Sequence, residues 1–141
     1  MQKLEELVSF YETLTPERVG ALDRLYAQDA YFKDPFNEVR GLDAIRRILC
    51  HMFSQVADPH FIIAERVVAE NGAVLVWEFR FRMRHRKALQ EQSVRGVTHL
   101  RFDSEGRVVF HRDYWDAAEE LYSKLPLLRV LMRALQRRLR A

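Results

Sequence analysis

The spacing of apolar residues changes near residue 60: before it they recur every three or four positions, after it, as far as about Trp115, every second position. Leu4, Leu7, Val8, Tyr11 and Leu14 predict a first helix. Thr15-Pro16-Glu17 then supplies an N-cap, a first-turn proline and a first-turn acid. A second helix is predicted there, with Val19, Leu22, Leu25 and Tyr26 on one side. A third runs from about Leu42 to Val56, with Ile45, Ile48, Leu49, Met52 and Phe53 as its apolar stripe and Asp58-Pro59 ending it.

From His60 the period-two stretches "FIIAERVVAE" and "AVLVWEFRFRMRHR" flank Asn71-Gly72, a pair whose tolerance of positive φ predicts a tight hairpin. In the second stretch Leu75, Trp77, Phe79, Phe81 and Met83 fall on one face, and Glu78, Arg80, Arg82 and Arg84 on the other. A polar loop, "KALQEQ", leads to two further strands, "SVRGVTHLRF" and "RVVFHRDYW", joined by "DSEG". "DAAEELYSKL" and an arginine-rich segment beginning at Pro126 predict two closing helices. Helices followed by antiparallel strands indicate an α+β fold: a curved antiparallel sheet with N-terminal helices packed on its concave face, enclosing a conical cavity suited to a ligand.

The chain has 141 residues, 48% of them apolar, which suits a single domain over 1–141. No apolar run approaches the ~20 residues that cross a bilayer, and "MQKLEELVSFYETL" lacks a signal-peptide core, so a cytoplasmic location is expected. The single cysteine, Cys50, excludes an internal disulfide and is expected to be a small buried hydrophobe. The net charge of +3 is local: residues 126–141 hold five arginines and no acid, and removing them leaves a body of −2. That segment forms a basic amphipathic helix separating Leu128, Leu131, Leu135 and Leu139 from Arg129, Arg133, Arg137 and Arg140. Without interleaved aromatics it argues against nucleic acid. Closure of the cavity mouth by its apolar side is preferred over contact with a membrane or partner.

In "YFKDPFNEVRG" one carboxylate, Asp34, stands among Tyr31, Phe32 and Phe36 beside Pro35. It reads either as an Asx turn, with backbone N–H groups on the carboxylate, or as a pocket acid. By alternation His111, Asp113 and Trp115 share one face of the last strand.

"LYAQDAYFKDP" followed by "RGLDAIRRI", then "NGAVLVWEFRF", then "THLRFDSEGRVV" running into "HRDYW", resemble the nuclear transport factor 2-like superfamily, in particular its ketosteroid isomerase and SnoaL-like polyketide cyclase branches. The resemblance covers the chain to about residue 116 and implies the cystatin-like roll of that superfamily. It places Asp34 on the general base of the steroid isomerases, where apolar walls make a carboxylate a better base. The isomerase oxyanion pair, a tyrosine and a protonated aspartic acid, is not kept: Phe10 stands at the tyrosine position, Tyr11 is one residue out of phase, and Thr98 replaces the acid. The expected catalytic set is therefore Asp34 as base, with His111 and Asp113 as acid and orienting partner. Phe10, Tyr11, Phe36, Met52, Trp77, Phe79, Thr98 and Trp115 are the expected ligand contacts.

The expected ligand is a small hydrophobic molecule. The resemblance implies either acid–base isomerase, lyase or cyclase chemistry on a carbonyl compound or simple binding of an apolar molecule, with no metal and no cofactor. His51, His60, His85 and His99 show no ligand spacing among themselves. Glu78, Arg80, Arg82, Arg84, His99 and Arg101 occupy outward phases, a face on which the superfamily commonly forms homodimers, so a homodimer through the outer sheet face is expected.

Overall fold

The apolar residues of the first 25 positions build two different helices in the computed structural model, which describes residues 2–84, 91–120 and 126–140. Helix α1 (Gln2–Glu12) buries Leu4, Leu7, Val8, Phe10 and Tyr11. The next element is a 3₁₀ helix, Glu17–Arg24. Its apolar residues Val19, Leu22 and Leu25 are three apart, and three residues per turn bring them to one side. Tyr26, expected on that helix, instead opens strand β1 (Tyr26–Lys33).

Strand β1 pairs antiparallel with the three-residue strand β2 (Glu38–Arg40) and parallel with β6 (Val108–Tyr114). Neither β1 nor β2 is announced by alternation. A register irregularity between Tyr26 and Tyr31 interrupts the in-and-out pattern of β1, and three residues are too few to show a period.

Helix α2 (Leu42–Gln55) buries Leu42, Ile45 and Leu49 and passes directly into β3 (Val56–Ala69). Asp58-Pro59 does not end the helix; it forms a bulge within β3. Ala57 pairs Arg82 and His60 pairs Arg80, so two residues oppose one. Asp58 takes the positive φ, 51°, that aspartate tolerates. Pro59 is accommodated because β3 is an edge strand, where a missing N–H costs no ladder bond. A second irregularity, between Ile63 and Glu65, bends β3 again.

Strands β4 (Gly72–Met83) and β5 (Gln92–Phe102) complete a six-stranded sheet in the order β2-β1-β6-β5-β4-β3. The architecture is a mixed α+β fold, an open curved sheet with helices across it. The hairpin between β3 and β4 forms at the expected place, with Ala69 opposite Gly72 and Glu70-Asn71 in the turn. Positive φ is not its reason: among the described residues only Asp58, Gly41 and Gly106 have one. Glycine is needed at 72 because a Cβ there would lie 2.2 Å from the carbonyl oxygen of Leu100 on the neighbouring strand.

The two faces of β4 divide as its alternation predicts. Leu75, Trp77 and Phe81 are buried inward. Outward, Arg80 pairs with Glu78 at 2.9 Å, Arg82 with Asp58 at 3.5 Å, and Arg84 donates to the Phe53 carbonyl at 3.0 Å. The outward charges are thus engaged within the chain.

Two short helices follow β6, α3 (Ala117–Glu120) and α4 (Pro126–Leu139). The remainder of the first predicted closing helix, most of the "KALQEQ" loop, and His85 and Arg86 of the predicted strand lie outside the described residues, as do the side chains of Leu128 and Arg129. One expectation is corrected. Cys50 is exposed, because it lies off the Ile45–Leu49 stripe of α2. Among the described side chains of helix α4, Leu131, Leu135 and Leu139 are exposed and none lines the cavity.

Candidate functional site

Helices α1 and α2 cross the concave side of the sheet and leave a cavity of about 1110 Å³, at or above the ~300–1,000 Å³ usual for small-molecule sites. Its wall is mostly apolar. Phe79 stacks on Phe61 at 4.4 Å between ring centroids and on Phe81 at 5.1 Å, while Trp77 meets the edge of Phe61 at 6.1 Å. Phe36, 57% exposed, packs edge-on against Trp115 at 5.4 Å, and both line the cavity toward solvent.

One polar chain runs through this apolar wall. Thr98 on β5 sits opposite Asp113 on β6, and His111, two residues before Asp113, projects from the same face. The Trp77 indole N–H donates to the Thr98 hydroxyl at 2.8 Å, which donates to Asp113 Oδ1 at 2.6 Å. His111 Nε2 meets the same Oδ1 at 2.8 Å. Its other nitrogen, Nδ1, is 2.6 Å from the Tyr26 hydroxyl, which is 2.7 Å from the Tyr11 hydroxyl. Among the described residues, Thr98 (5% exposed) and His111 (3%) are the buried polar side chains. Both belong to this chain and both line the cavity.

Hydrogen-bond counting allows this chain two polarities. With a neutral imidazole carrying its proton on Nε2, Nδ1 accepts from Tyr26 and Tyr26 accepts from Tyr11, so Tyr11 presents a lone pair to the cavity. With an imidazolium, Nδ1 donates to Tyr26, Tyr26 donates to Tyr11, and the Tyr11 proton turns into the cavity. Either way Asp113 Oδ1 holds two hydrogen bonds and Oδ2 receives none from the described residues.

Burial pushes both phenols up. Loss of solvation raises Tyr11 well above its ordinary value, with the Asp113 charge adding to it and the bond from Tyr26 opposing. For Tyr26 burial again dominates, helped by the neighbouring Tyr11. Their folded-state pKa values exceed the unfolded value of about 10, so the neutral forms stabilise the fold below pH ~10, and that contribution is lost as pH rises above it. In an alkaline titration the phenolate absorbance of Tyr11 and Tyr26 is expected to emerge only with unfolding. A Tyr11→Phe/Tyr26→Phe protein should lack that step; a step well before unfolding would contradict their burial.

Gly96 makes the geometry of Trp77 possible. A Cβ at 96 would stand 2.6 Å from two atoms of the indole ring and 2.9 Å from the Tyr114 carbonyl oxygen. The absent side chain lets the indole lie across β5 with its N–H on Thr98.

Residues 7–111 match the SnoaL-like domain. The chain belongs to that family. No curated protein matches the sequence. Among solved structures, this SnoaL-like domain is similar to a putative SnoaL-like polyketide cyclase from Shewanella putrefaciens CN-32, at 21% identity and a TM-score of 0.73 over 90% of this chain and 98% of the other. It is also similar to AclR, a putative hydroxylase from Streptomyces galilaeus, at 18% identity and a TM-score of 0.69 over 99% and 96%. A third is a hypothetical protein with a ketosteroid isomerase-like fold from Catenulispora acidiphila DSM 44928, in complex with trimethylamine, at 16% identity and a TM-score of 0.70 over 84% and 88%. At such identities the likeness is one of fold.

Asp34, His111 and Asp113 all line this cavity of the SnoaL-like domain. They are not equivalent. The Asp34 carboxylate forms an Asx turn, Oδ1 accepting the N–H groups of Phe36 at 2.8 Å and Asn37 at 2.6 Å, and the Asn37 side chain at 3.1 Å. Both readings of "YFKDPFNEVRG" thus describe the same residue. Tyr11, Phe36, Met52, Trp77, Phe79, Thr98 and Trp115 also line the cavity.

Phe10 does not. It is 2% exposed within the core, with Tyr11 packed edge-on against it, because a one-residue step of ~100° on α1 turns Tyr11, not Phe10, toward the sheet. Arg95 and Arg112 are engaged away from the His111–Asp113 pair: Arg95 meets Glu120 at 3.4 Å, and Arg112 lies over the Tyr114 ring. Tyr26 is the residue sequence reasoning missed. It contacts His111 across 85 positions, and no local pattern signals so distant a bond.

Proposed function

We propose that this SnoaL-like domain is an acid–base enzyme that moves a proton on a small hydrophobic carbonyl compound, with an isomerase, lyase or cyclase outcome. The observation that carries the reading is the continuous chain Trp77–Thr98–Asp113–His111–Tyr26–Tyr11 set into an apolar cavity. Burying polar groups costs free energy unless each is hydrogen-bonded. Here the chain joins two residues that line the cavity, Tyr11 and Asp113, the latter with an Oδ2 that takes no hydrogen bond from the described residues.

Starting from the imidazolium and carboxylate, Asp113 Oδ2 takes the proton from a carbon next to the substrate carbonyl. The C–H bonding pair moves into the enolate, and the Tyr11 O–H donates a hydrogen bond to the enolate oxygen. When the proton held on Asp113 is first replaced from solvent, its delivery to the same carbon gives exchange; delivery to another carbon gives isomerisation. His111 holds Asp113 in place and sets the direction in which Tyr11 points its proton. Asp34, its Oδ1 committed to the turn, fixes a polar end of the ligand at the cavity edge.

The test is deuterium wash-in. Incubated in heavy water with a panel of hydrophobic ketones and polycyclic carbonyl compounds, the protein is expected to exchange the acidic C–H positions of those it binds. A panel member that binds in the cavity and is recovered without exchange would overturn the catalytic reading and leave a binding protein for apolar molecules.

A further inference from the structure

The basic helix α4 leaves its described leucines exposed outside the cavity. At ~100° per residue, Leu131, Leu135 and Leu139 lie within an arc of about 80°. Arg133, Arg137 and Arg140 lie within about 60° on the opposite side. Leu131, Leu135 and Leu139 are 52%, 46% and 85% exposed. Beyond residue 125 the chain carries five arginines and no acid, while the remainder is acidic by two charges. Exposed leucines are a cost in water, so this face suits an apolar medium edged by negative charge.

We propose that α4 binds the surface of an anionic membrane, lying in its plane with the leucines among the acyl chains and the arginines at the headgroups. At 14 residues the helix is about 21 Å long, short of the ~30 Å hydrocarbon core, and no described helix is long and apolar enough to cross a membrane. In-plane seating is the geometry left to it.

Charge and spacing favour lipid over the alternatives. Nucleic acid would neutralise the arginines but leave the leucine arc in water. A coiled coil with a second copy needs apolar residues at alternating three- and four-residue steps. Continuing from Leu131 and Leu135, that pattern reaches Arg138, which would place a charge in the seam opposite another arginine-rich helix. At a membrane Arg138 extends its guanidinium to the headgroups along the helix surface.

The experiment is co-sedimentation of the full chain with vesicles of phosphatidylcholine alone or mixed equally with phosphatidylglycerol. Binding is expected to the mixed vesicles only and to weaken with salt. Arg133→Gln/Arg137→Gln should lower partitioning about 30-fold, at ~1 kcal/mol per cation. Leu131→Ser/Leu135→Ser should lower it about 100-fold. Both pairs are exposed, so thermal unfolding should match the parent protein and show that the effect is not loss of fold. The proposal is overturned by failure to bind the mixed vesicles, by equal binding to neutral ones, or by binding that survives the leucine changes. A self-association or nucleic-acid complex that needs these residues, without lipid binding, overturns it equally.

Discussion

Asp113→Asn is expected to lower the rate of carbon proton exchange by about 10³-fold, the middle of the range for removing a positioned acid–base group. The substitution is nearly isosteric. The amide oxygen can still accept from Thr98 and His111, now 2.6 and 2.8 Å from Oδ1, so the local fold should persist while Oδ2, the proposed base, becomes an NH₂ donor. Ligand affinity is expected to change little beside the loss of rate. The control is Asp34→Asn, which keeps an acceptor for the N–H groups of Phe36 and Asn37 and is expected to cost less than about tenfold. Rates measured on the same exchanging compound decide between the carboxylates. If Asp34→Asn abolishes exchange and Asp113→Asn does not, the base sits at the cavity edge and the buried chain has no catalytic part.

His111→Ala is expected to destabilise the fold by about 3–4 kcal/mol, among the larger single-residue costs. Three losses combine. The Tyr26 hydroxyl loses its 2.6 Å partner, Asp113 loses one of the two donors on Oδ1, and the Phe32 ring loses an imidazole stacked 4.6 Å away. A buried polar group left unpaired costs about 1–3 kcal/mol, and an aromatic contact about 0.5–1.5 kcal/mol beyond area. In a chain of this size the melting midpoint should fall by about 10 °C. Denaturant unfolding should show a lower midpoint with an unchanged slope. A change below about 1 kcal/mol would show that the chain from Thr98 to Tyr11 is not structurally coupled at His111.

Legibility in the sequence followed the length and regularity of each element. Strand β4, with apolar and charged residues alternating from Trp77 to Met83, announced both its faces, and α2 showed its stripe within a residue of its observed end. Strands β1 and β2 were hidden by a broken register and by brevity. Asp58-Pro59, a stop signal in sequence, became a bulge because the strand it enters lies at the sheet edge. In the site, His111 and Asp113 were legible because a two-residue step on a strand fixes a common face. Tyr26 was not, because its partner lies 85 positions away, and Phe10 reads as a cavity residue because the rotation of a helix against a sheet is set by packing.

The sequence by itself determined the period of each long element, the segregation of positive charge beyond residue 125, and hence the α+β class and the amphipathic final helix. These are local properties, readable from spacing and composition. Only the tertiary structure decided that Tyr11 and Tyr26 extend the His111–Asp113 pair, that Asp34 is held in a turn at the edge of the same cavity, and that Leu131, Leu135 and Leu139 of α4 lie in solvent. Each depends on contacts between segments far apart in the chain, where a hydrogen bond of under 3 Å is fixed by how sheets curve and helices seat, and no period within a segment encodes that.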